Sequence, residues 1–190
     1  MTHHSSAVPA DEPVVIVPYD PLWPARFTRL GTALREALGQ TALRIDHIGS
    51  TAVAGLAAKP VIDIQISVAS LEPLESYRAP LEALGYRFHP DNPDLTKRFF
   101  REPVGERRTH VHVRTIGCWS EQLALLFRDY LRAHPLDAER YAELKYRLAA
   151  AYGDDRHGYT EAKGPLIWQI VASAHVWSMK TGWRPGPSSA

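Results

Sequence analysis

The residues best able to do chemistry lie in one run, His47-Ile48-Gly49-Ser50-Thr51-Ala52-Val53-Ala54-Gly55-Leu56-Ala57-Ala58-Lys59-Pro60-Val61-Ile62-Asp63-Ile64-Gln65-Ile66. Glycine lets a backbone approach a ligand closely, and the amides that follow it can point at an anion. Ser50 and Thr51 add hydroxyl donors, and Lys59 adds a positive charge. Asp63, on the strand that starts after Pro60, can hold a divalent cation between its carboxylate and a phosphate chain. The plainer alternative is a Gly-Ser-Thr helix cap followed by an exposed strand carboxylate. The whole run favours a ligand site, because an aspartate inside a strongly β-branched strand has a propensity cost and no local gain.

A second set follows at Thr109-His110-Val111-His112-Val113. Strand alternation turns His110 and His112 to one face. Two imidazoles at that spacing suit a transition metal such as zinc, and Asp63 would complete a site of two His and one carboxylate. The competing reading is a pair of solvated or hydrogen-bonded imidazoles on a polar sheet face; both stand at this point. His47, three residues before Ser50, is assigned a structural role. Lys97, Arg98, Arg101, Arg107, Arg108 and Arg114 cluster across a short hairpin. As a set they read as charge protecting a sheet edge. Arg98 is kept as a substrate-binding candidate, since its strand should lie beside His110 and His112. Tyr159 and Lys163, one helical turn apart, can point together into a cleft where Lys163 would meet a phosphate. Their alternative is a helix-start tyrosine and a solvated lysine. Arg128, Asp129 and Arg132 read as an ion-pair face between helices, Trp168 and Trp177 as packing for the last helix, and Cys118 as structural.

Elements must position these groups. Val14–Val17 reads as a short strand ended by Pro18. Asp20 caps a helix with Pro21 in its first turn, ending at Gly39. Leu43–Ile48 and Val61–Ile66 are strands, and the second turns Asp63 and Gln65 to one face and Ile62, Ile64 and Ile66 to the other. Leu71–Leu84 is a helix and Tyr86–Phe88 a short strand. Lys97–Glu102 and Arg108–Arg114 form a hairpin. Helices follow over Trp119–Ala133, Ala138–Tyr152 and Glu161–Met179. The expected architecture is a mixed α/β sheet over 13–116 with a helical part over 117–180, one domain spanning 13–180. Residues 1–12 and 181–190 are expected to be disordered tails, too poor in apolar surface to offset their ordering entropy.

Composition narrows the classes. The 190 residues carry 22 Lys+Arg against 21 Asp+Glu, so no global field attracts nucleic acid nonspecifically. With 45% hydrophobic and 23% charged residues the chain is that of a folded globular domain. One cysteine excludes an intramolecular disulfide. No apolar run approaches membrane-spanning length and no signal-peptide pattern opens the chain, so a cytoplasmic location is expected. Oligomeric state is left open.

The run HIGSTAVAGLAAKPVIDI resembles the signature of the GrpB family, a group of the nucleotidyltransferase superfamily. The resemblance extends to Tyr19–Pro24, Thr109–Val113, Phe127–Arg132, Tyr141 with Leu144-Lys145, and Tyr159 with Lys163. It implies a nucleotidyltransferase-like fold. Taken together with the residue reading, it places a phosphate or substrate site at Gly49, Ser50, Thr51, Lys59, Arg98, Tyr159 and Lys163, and catalytic groups at Asp63, Gln65, His110 and His112. The implied partner is a nucleotide or other phosphorylated small molecule. The implied cofactor is a divalent metal, Mg²⁺ or Mn²⁺; the HxH spacing itself offers zinc as the alternative, at Asp63, His110 and His112. Members of that superfamily place a second carboxylate two residues after the first; here Gln65 stands there. A neutral amide is a weak Mg²⁺ ligand, so a non-catalytic binding module and a His/Asp metal-dependent hydrolase stand beside nucleotidyl transfer. Some relatives are fused to a dephospho-coenzyme A kinase domain, but no Gly-x4-Gly-Lys-Ser/Thr phosphate loop occurs in these 190 residues.

Overall fold

The β-branched run after Pro60 forms the centre of the molecule. The computed structural model describes residues 13–190, so the expected tail over 1–12 lies outside the described residues. Strands β1 (Arg44–Ile48), β2 (Ile62–Val68), β3 (Arg87–Phe88), β4 (Arg98–Arg101) and β5 (Thr109–Thr115) form one mixed sheet in the order β1-β2-β5-β4-β3. The β2–β5 pair is parallel and every other pair antiparallel. Helices flank this sheet and a helical part follows it, as the pattern predicts.

The two faces of the sheet differ. Ile62, Ile64, Ile66, Phe100, Val111 and Val113 are buried on one face against Trp23, Phe27, Leu34, Tyr77 and Leu81 of α1 (Trp23–Leu38) and α2 (Glu75–Ala83). Each fully buried aliphatic side chain there contributes about 1.5–3 kcal/mol of transfer free energy. The other face carries Asp46, Asp63, Gln65, Ser67, His110, His112 and Arg114. Buried polar groups need partners, and α3 (Trp119–Ala133) supplies them. Ser67 Oγ donates to Glu121 Oε1 at 2.7 Å, and Gln65 Nε2 donates to the Glu121 carbonyl at 3.3 Å. Arg128 Nη1 donates to the His47 carbonyl at 3.0 Å and lies 3.6 Å from Asp46 Oδ1. Arg132 donates twice to the Ala52 carbonyl, at 2.9 and 2.7 Å. Arg128 and Arg132 thus fasten α3 to β1 and the turn after it; their expected ion pairs with Asp129 form within α3 itself, not between helices. Asp129 accepts from Arg128 Nε at 2.7 Å and holds that guanidinium in place.

A second core joins α3, α4 (Pro135–Ala151) and α6 (Gly164–Thr181) to the segment after β1 through Val53, Leu56, Leu131, Tyr141, Ile170 and Ala174. Trp177 packs against it as expected. Trp168 instead stacks on Trp119 at 6.4 Å, both more than half exposed.

Several boundaries differ from the pattern. Val14–Val17 forms only an isolated bridge between Val17 and Ala58, because Pro18 stops the ladder. The first helix starts at Trp23, after Asp20 Oδ1 has accepted from Leu22 N at 2.9 Å; the second proline, Pro24, takes the helix start. The last expected helix begins later, as α6 (Gly164–Thr181) with Pro165 in its first turn, and a separate short helix, α5 (Arg156–Ala162), precedes it where the pattern gives no helix before Glu161. The expected C-terminal tail lies along the open edge of β1. Ser189 N and Ala190 N donate to the Ile45 carbonyl at 3.0 and 3.1 Å, and Ile45 N donates to Ser188 Oγ at 2.9 Å. An edge strand offers unpaired backbone groups, and these residues satisfy those of Ile45.

The ties from α3 give a stability prediction. Arg128→Ala removes one partner of a buried carboxylate and should cost about 3 kcal/mol, the lower end for breaking a buried pair, since Arg44 still grips Asp46. Urea unfolding followed by circular dichroism measures it.

Candidate functional site

Where α3 leaves the polar face uncovered, a cleft of about 280 Å³ opens between the sheet and the helices. Gly49, Ser50, Thr51, Lys59, Asp63 and His110 line its sheet side; Tyr141, Lys145, Arg156, Tyr159, Thr160 and Lys163 line its helix side.

The turn after β1 is built on a backbone that only glycine holds easily. Gly49 has φ +70° and ψ −173°. A Cβ placed on it would lie 2.6 Å from Asp63 Oδ2, so the turn sits directly on the carboxylate. Behind it, Thr51 Oγ1 donates to the Val61 carbonyl at 3.0 Å and meets His47 Nε2 at 3.0 Å. The His47 ring stacks on Phe27 at 4.8 Å on the apolar side of the sheet, and burial lowers its pKa to about 4. His47 is structural, as expected. Thr51 is also committed to the turn, its hydroxyl engaged on both sides.

Asp63, His110 and His112 converge as strand parity predicts. The β2–β5 register sets Asp63 beside His110. His110 Nδ1 lies 3.1 Å and His112 Nε2 3.4 Å from the same Asp63 Oδ1. Burial opposes the charge on Asp63, but the hydrogen bonds from the two imidazoles overcome it and hold the carboxyl well below the usual range. Burial lowers the His112 pKa to about 4 despite Asp63, so the ring is neutral at neutral pH.

Gln65 does not join them. It is fully buried, its Oε1 accepts from Arg114 Nη1 at 2.7 Å, and its Nε2 faces the Glu121 carbonyl. Its amide oxygen is thereby occupied by a guanidinium. Arg98 is also elsewhere. It pairs in register with Val113, on the apolar face, and its Nη2 donates to Glu72 Oε1 at 2.8 Å. Phe99 and Arg101, one residue out of phase with it, are the β4 residues beside His112 and His110.

On the helix side Tyr159 lies between two lysines, with Lys59 Nζ 4.3 Å and Lys163 Nζ 4.5 Å from its ring centroid. The i,i+4 reading of Tyr159 and Lys163 therefore places both in the cleft. Sequence reasoning assigns no role to Lys145, which is 3% exposed. Lys145 Nζ donates to Ser50 Oγ at 3.0 Å and to the Ala57 carbonyl, and lies 4.5 Å from the Tyr141 ring. Burial, with Lys163 nearby, lowers its pKa to about 7. Tyr141 and Lys145 repeat the i,i+4 Tyr–Lys spacing of Tyr159 and Lys163, and that repetition is the signal the sequence offers. Arg156, on the cleft wall, has none.

A pair of Mg²⁺ ions does not fit these residues. Such a pair needs carboxylates on adjacent inward positions of the strand. Here the second position faces Arg114, and the neighbouring strand offers imidazoles.

Residues 13–173 match the family described as GrpB protein. The chain belongs to the GrpB family. It is similar to the crystal structure of the conserved protein GrpB from Enterococcus faecalis, with a TM-score of 0.78 and 33% identity, covering 86% of this chain and 99% of that one. It is 42% identical over 167 residues to a UPF0157 protein of Pseudomonas aeruginosa, covering 86% of this chain and 69% of the other. It is also 37% identical over 201 residues to a protein of Mycolicibacterium paratuberculosis named dephospho-CoA kinase. That match covers 93% of this chain but 49% of the kinase, so the chain spans about half the length of that relative. The Cid1 poly(U) polymerase superposes on 76% of this chain with a TM-score of 0.49 and 12% identity; so distant a likeness carries no activity across.

The close approach at Gly49 is testable against Gly55, which also has positive φ but has nothing within 4 Å of where a Cβ would sit. Gly55→Ala should cost about 1–3 kcal/mol from backbone strain alone. Gly49→Ala should cost more than Gly55→Ala, because it also displaces Asp63. Thermal unfolding of the two variants side by side checks the order.

Proposed function

We propose that this GrpB-family protein binds a nucleotide or another phosphorylated small molecule in the cleft between Ser50 and the two Tyr–Lys pairs. The observation that carries the reading is Lys145. It is buried, and no carboxylate among the described residues lies within ion-pair distance of its ammonium group. Buried charges are normally paired. Lys145 instead donates to a hydroxyl and a carbonyl, at a turn that opens on Lys163, Lys59 and Arg156. An anionic ligand would supply the missing partner.

The residues divide the work across the cleft. Lys145 and Lys163 would hold phosphate oxygens through charge-assisted hydrogen bonds. Ser50 would add a hydroxyl donor at the turn, and Tyr159 would position the Lys59 and Lys163 ammonium groups over its ring faces. Asp63, ionised and held by the imidazoles, stands across from them. A divalent ion bound there would supply the positive charge that steadies phosphate oxygens during nucleotidyl transfer to a hydroxyl or amine. The Gln65–Arg114 contact favours a second reading, a binding module of the same fold without transfer. The two readings differ in whether pyrophosphate is released from a nucleoside triphosphate.

Binding should be linked to protons. A phosphate favours the charged form of Lys145, whose pKa without ligand lies near 7. Above that pH, binding must take up a proton, so affinity falls as pH rises, by up to about tenfold per unit from this group. Below pH 7 the group is already charged and contributes no slope. The other charged or titratable groups lining the same cleft are Lys163, Arg156, Lys59, Asp63, His110, Tyr141 and Tyr159. Calorimetric titration with ATP between pH 6 and 9 should show this slope in the native protein and lose it in Lys145→Met. That variant should bind about 10–100-fold more weakly at pH 7, the value of a hydrogen bond to a charged group. Unchanged affinity in Lys145→Met, or no binding of any nucleoside triphosphate, overturns the reading.

A further inference from the structure

The Asp63 end of the cleft has its own chemistry, and it is not that of a magnesium pair. Three ligand atoms, one each from Asp63, His110 and His112, lie within 4.8 Å of one another. The two rings stand at 89° to each other with centroids 6.2 Å apart, so their nitrogens converge on Asp63 Oδ1 from different directions. Both rings are fixed from behind by Phe99, whose centroid is 5.3 Å from each. Gly49 packs against Asp63 Oδ2, and the cleft that Asp63 and His110 line together with Ser50 gives an ion its way in.

From this arrangement we infer that Asp63, His110 and His112 form a site for one exchangeable divalent transition-metal ion of the zinc, cobalt or nickel kind, not for a pair of Mg²⁺ ions. This rests on the proposed ligand cleft only for its location. Mg²⁺ prefers carboxylate, carbonyl and water oxygens, whereas imidazole suits zinc and its neighbours. Two of the three donors here are imidazole. A second ion would need Gln65, whose amide oxygen already accepts from Arg114. The guanidinium beside it also repels a cation.

The surroundings behind the ligands set how firmly an ion is held. Metal-bound histidines usually donate their outer N–H to an acceptor. His110 Nε2 and His112 Nδ1 are buried with no such partner among the described residues. With the ion held at the inner nitrogens, each ring proton must sit on an outer nitrogen that finds no acceptor. That cost weakens the site, so the ion exchanges rather than acting as a permanent structural metal.

The full chain, freed of metal by chelator and titrated with each ion alone, tests this without any nucleotide. Calorimetry should show one equivalent of Zn²⁺ or Co²⁺ and no heat from Mg²⁺ at the same concentrations. Bound Co²⁺ should develop visible absorption bands that Zn²⁺ abolishes. His110→Ala and His112→Ala should each weaken Zn²⁺ binding by at least about 10-fold, the scale on which even outer ligand partners matter. If either variant fails to fold, the Co²⁺ spectrum and stoichiometry of the native protein still decide. Two equivalents per chain, Mg²⁺ binding as tight as Zn²⁺, or unchanged Zn²⁺ affinity in folded His variants overturns the inference. ATP titration in the presence of chelator reads the lysine side separately, so loss of one result leaves the other standing.

Discussion

The structure depends on a sheet that has a polar face and must still bury most of it. An ordinary half-buried sheet hides its apolar side and leaves the other to water. Here Asp46, Gln65, Ser67 and Arg114 lie on the second face and are almost wholly enclosed. Leaving any of them unpaired would cost about 1–3 kcal/mol, more for the charged ones. The sequence of α3 meets that demand residue by residue. Glu121 serves Ser67 and Gln65, Arg128 serves Asp46 and the β1 backbone, and Arg132 serves the turn carbonyl. Order in α3 is therefore inseparable from order in the sheet.

The cleft follows from where this covering ends. Beyond Gln65 along β2 the next polar group on the face is Asp63, and α3 does not reach it. The turn at Gly49 and the imidazoles of His110 and His112 close around the carboxylate instead. On the far wall, α4 and α5 each present a tyrosine, with a lysine one turn further on. The second hydrophobic core, through Tyr141 and Leu56, keeps α4 against the turn that bears Ser50. The opposed walls have opposite character. One has an anionic carboxylate held by two imidazoles, and the other has Lys145, whose ammonium group meets no carboxylate among the described residues.

Much of this is legible in the sequence because strand parity is a strict rule. The alternation of β2 separates Asp63 and Gln65 from the isoleucines, and the HxH spacing puts both imidazoles on one face. What the sequence hides is information that no single segment contains. Arg98 reads as a neighbour of the histidines because its strand adjoins theirs, but the register turns it to the other face. Gln65 looks available as a ligand until its partner on β5 is known. The Tyr141–Lys145 spacing marks Lys145 but does not show that it is buried. Its burial is decided by the turn 95 residues earlier, against which α4 packs. The C-terminal residues are too polar to form a core, yet an open strand edge orders them through backbone hydrogen bonds.

Gln65 shows why replacing one ligand is not a local matter in such a face. A carboxylate at this position would meet the Arg114 guanidinium at hydrogen-bonding distance and form a charge-assisted pair, preferring that fixed cation to a hydrated ion. To present a carboxylate to a metal, the face would have to lose Arg114 as well. Removing Arg114 would in turn leave the amide or carboxylate at 65 to α3 alone. The amide fits the present arrangement because it accepts from Arg114 and donates to the Glu121 carbonyl at once, which a carboxylate cannot do. The same two hydrogen bonds that stabilise the buried half of the polar face thus leave Gln65 no free ligand atom, so the proposed metal ion can draw its ligands only from Asp63 and the two imidazoles of the open half.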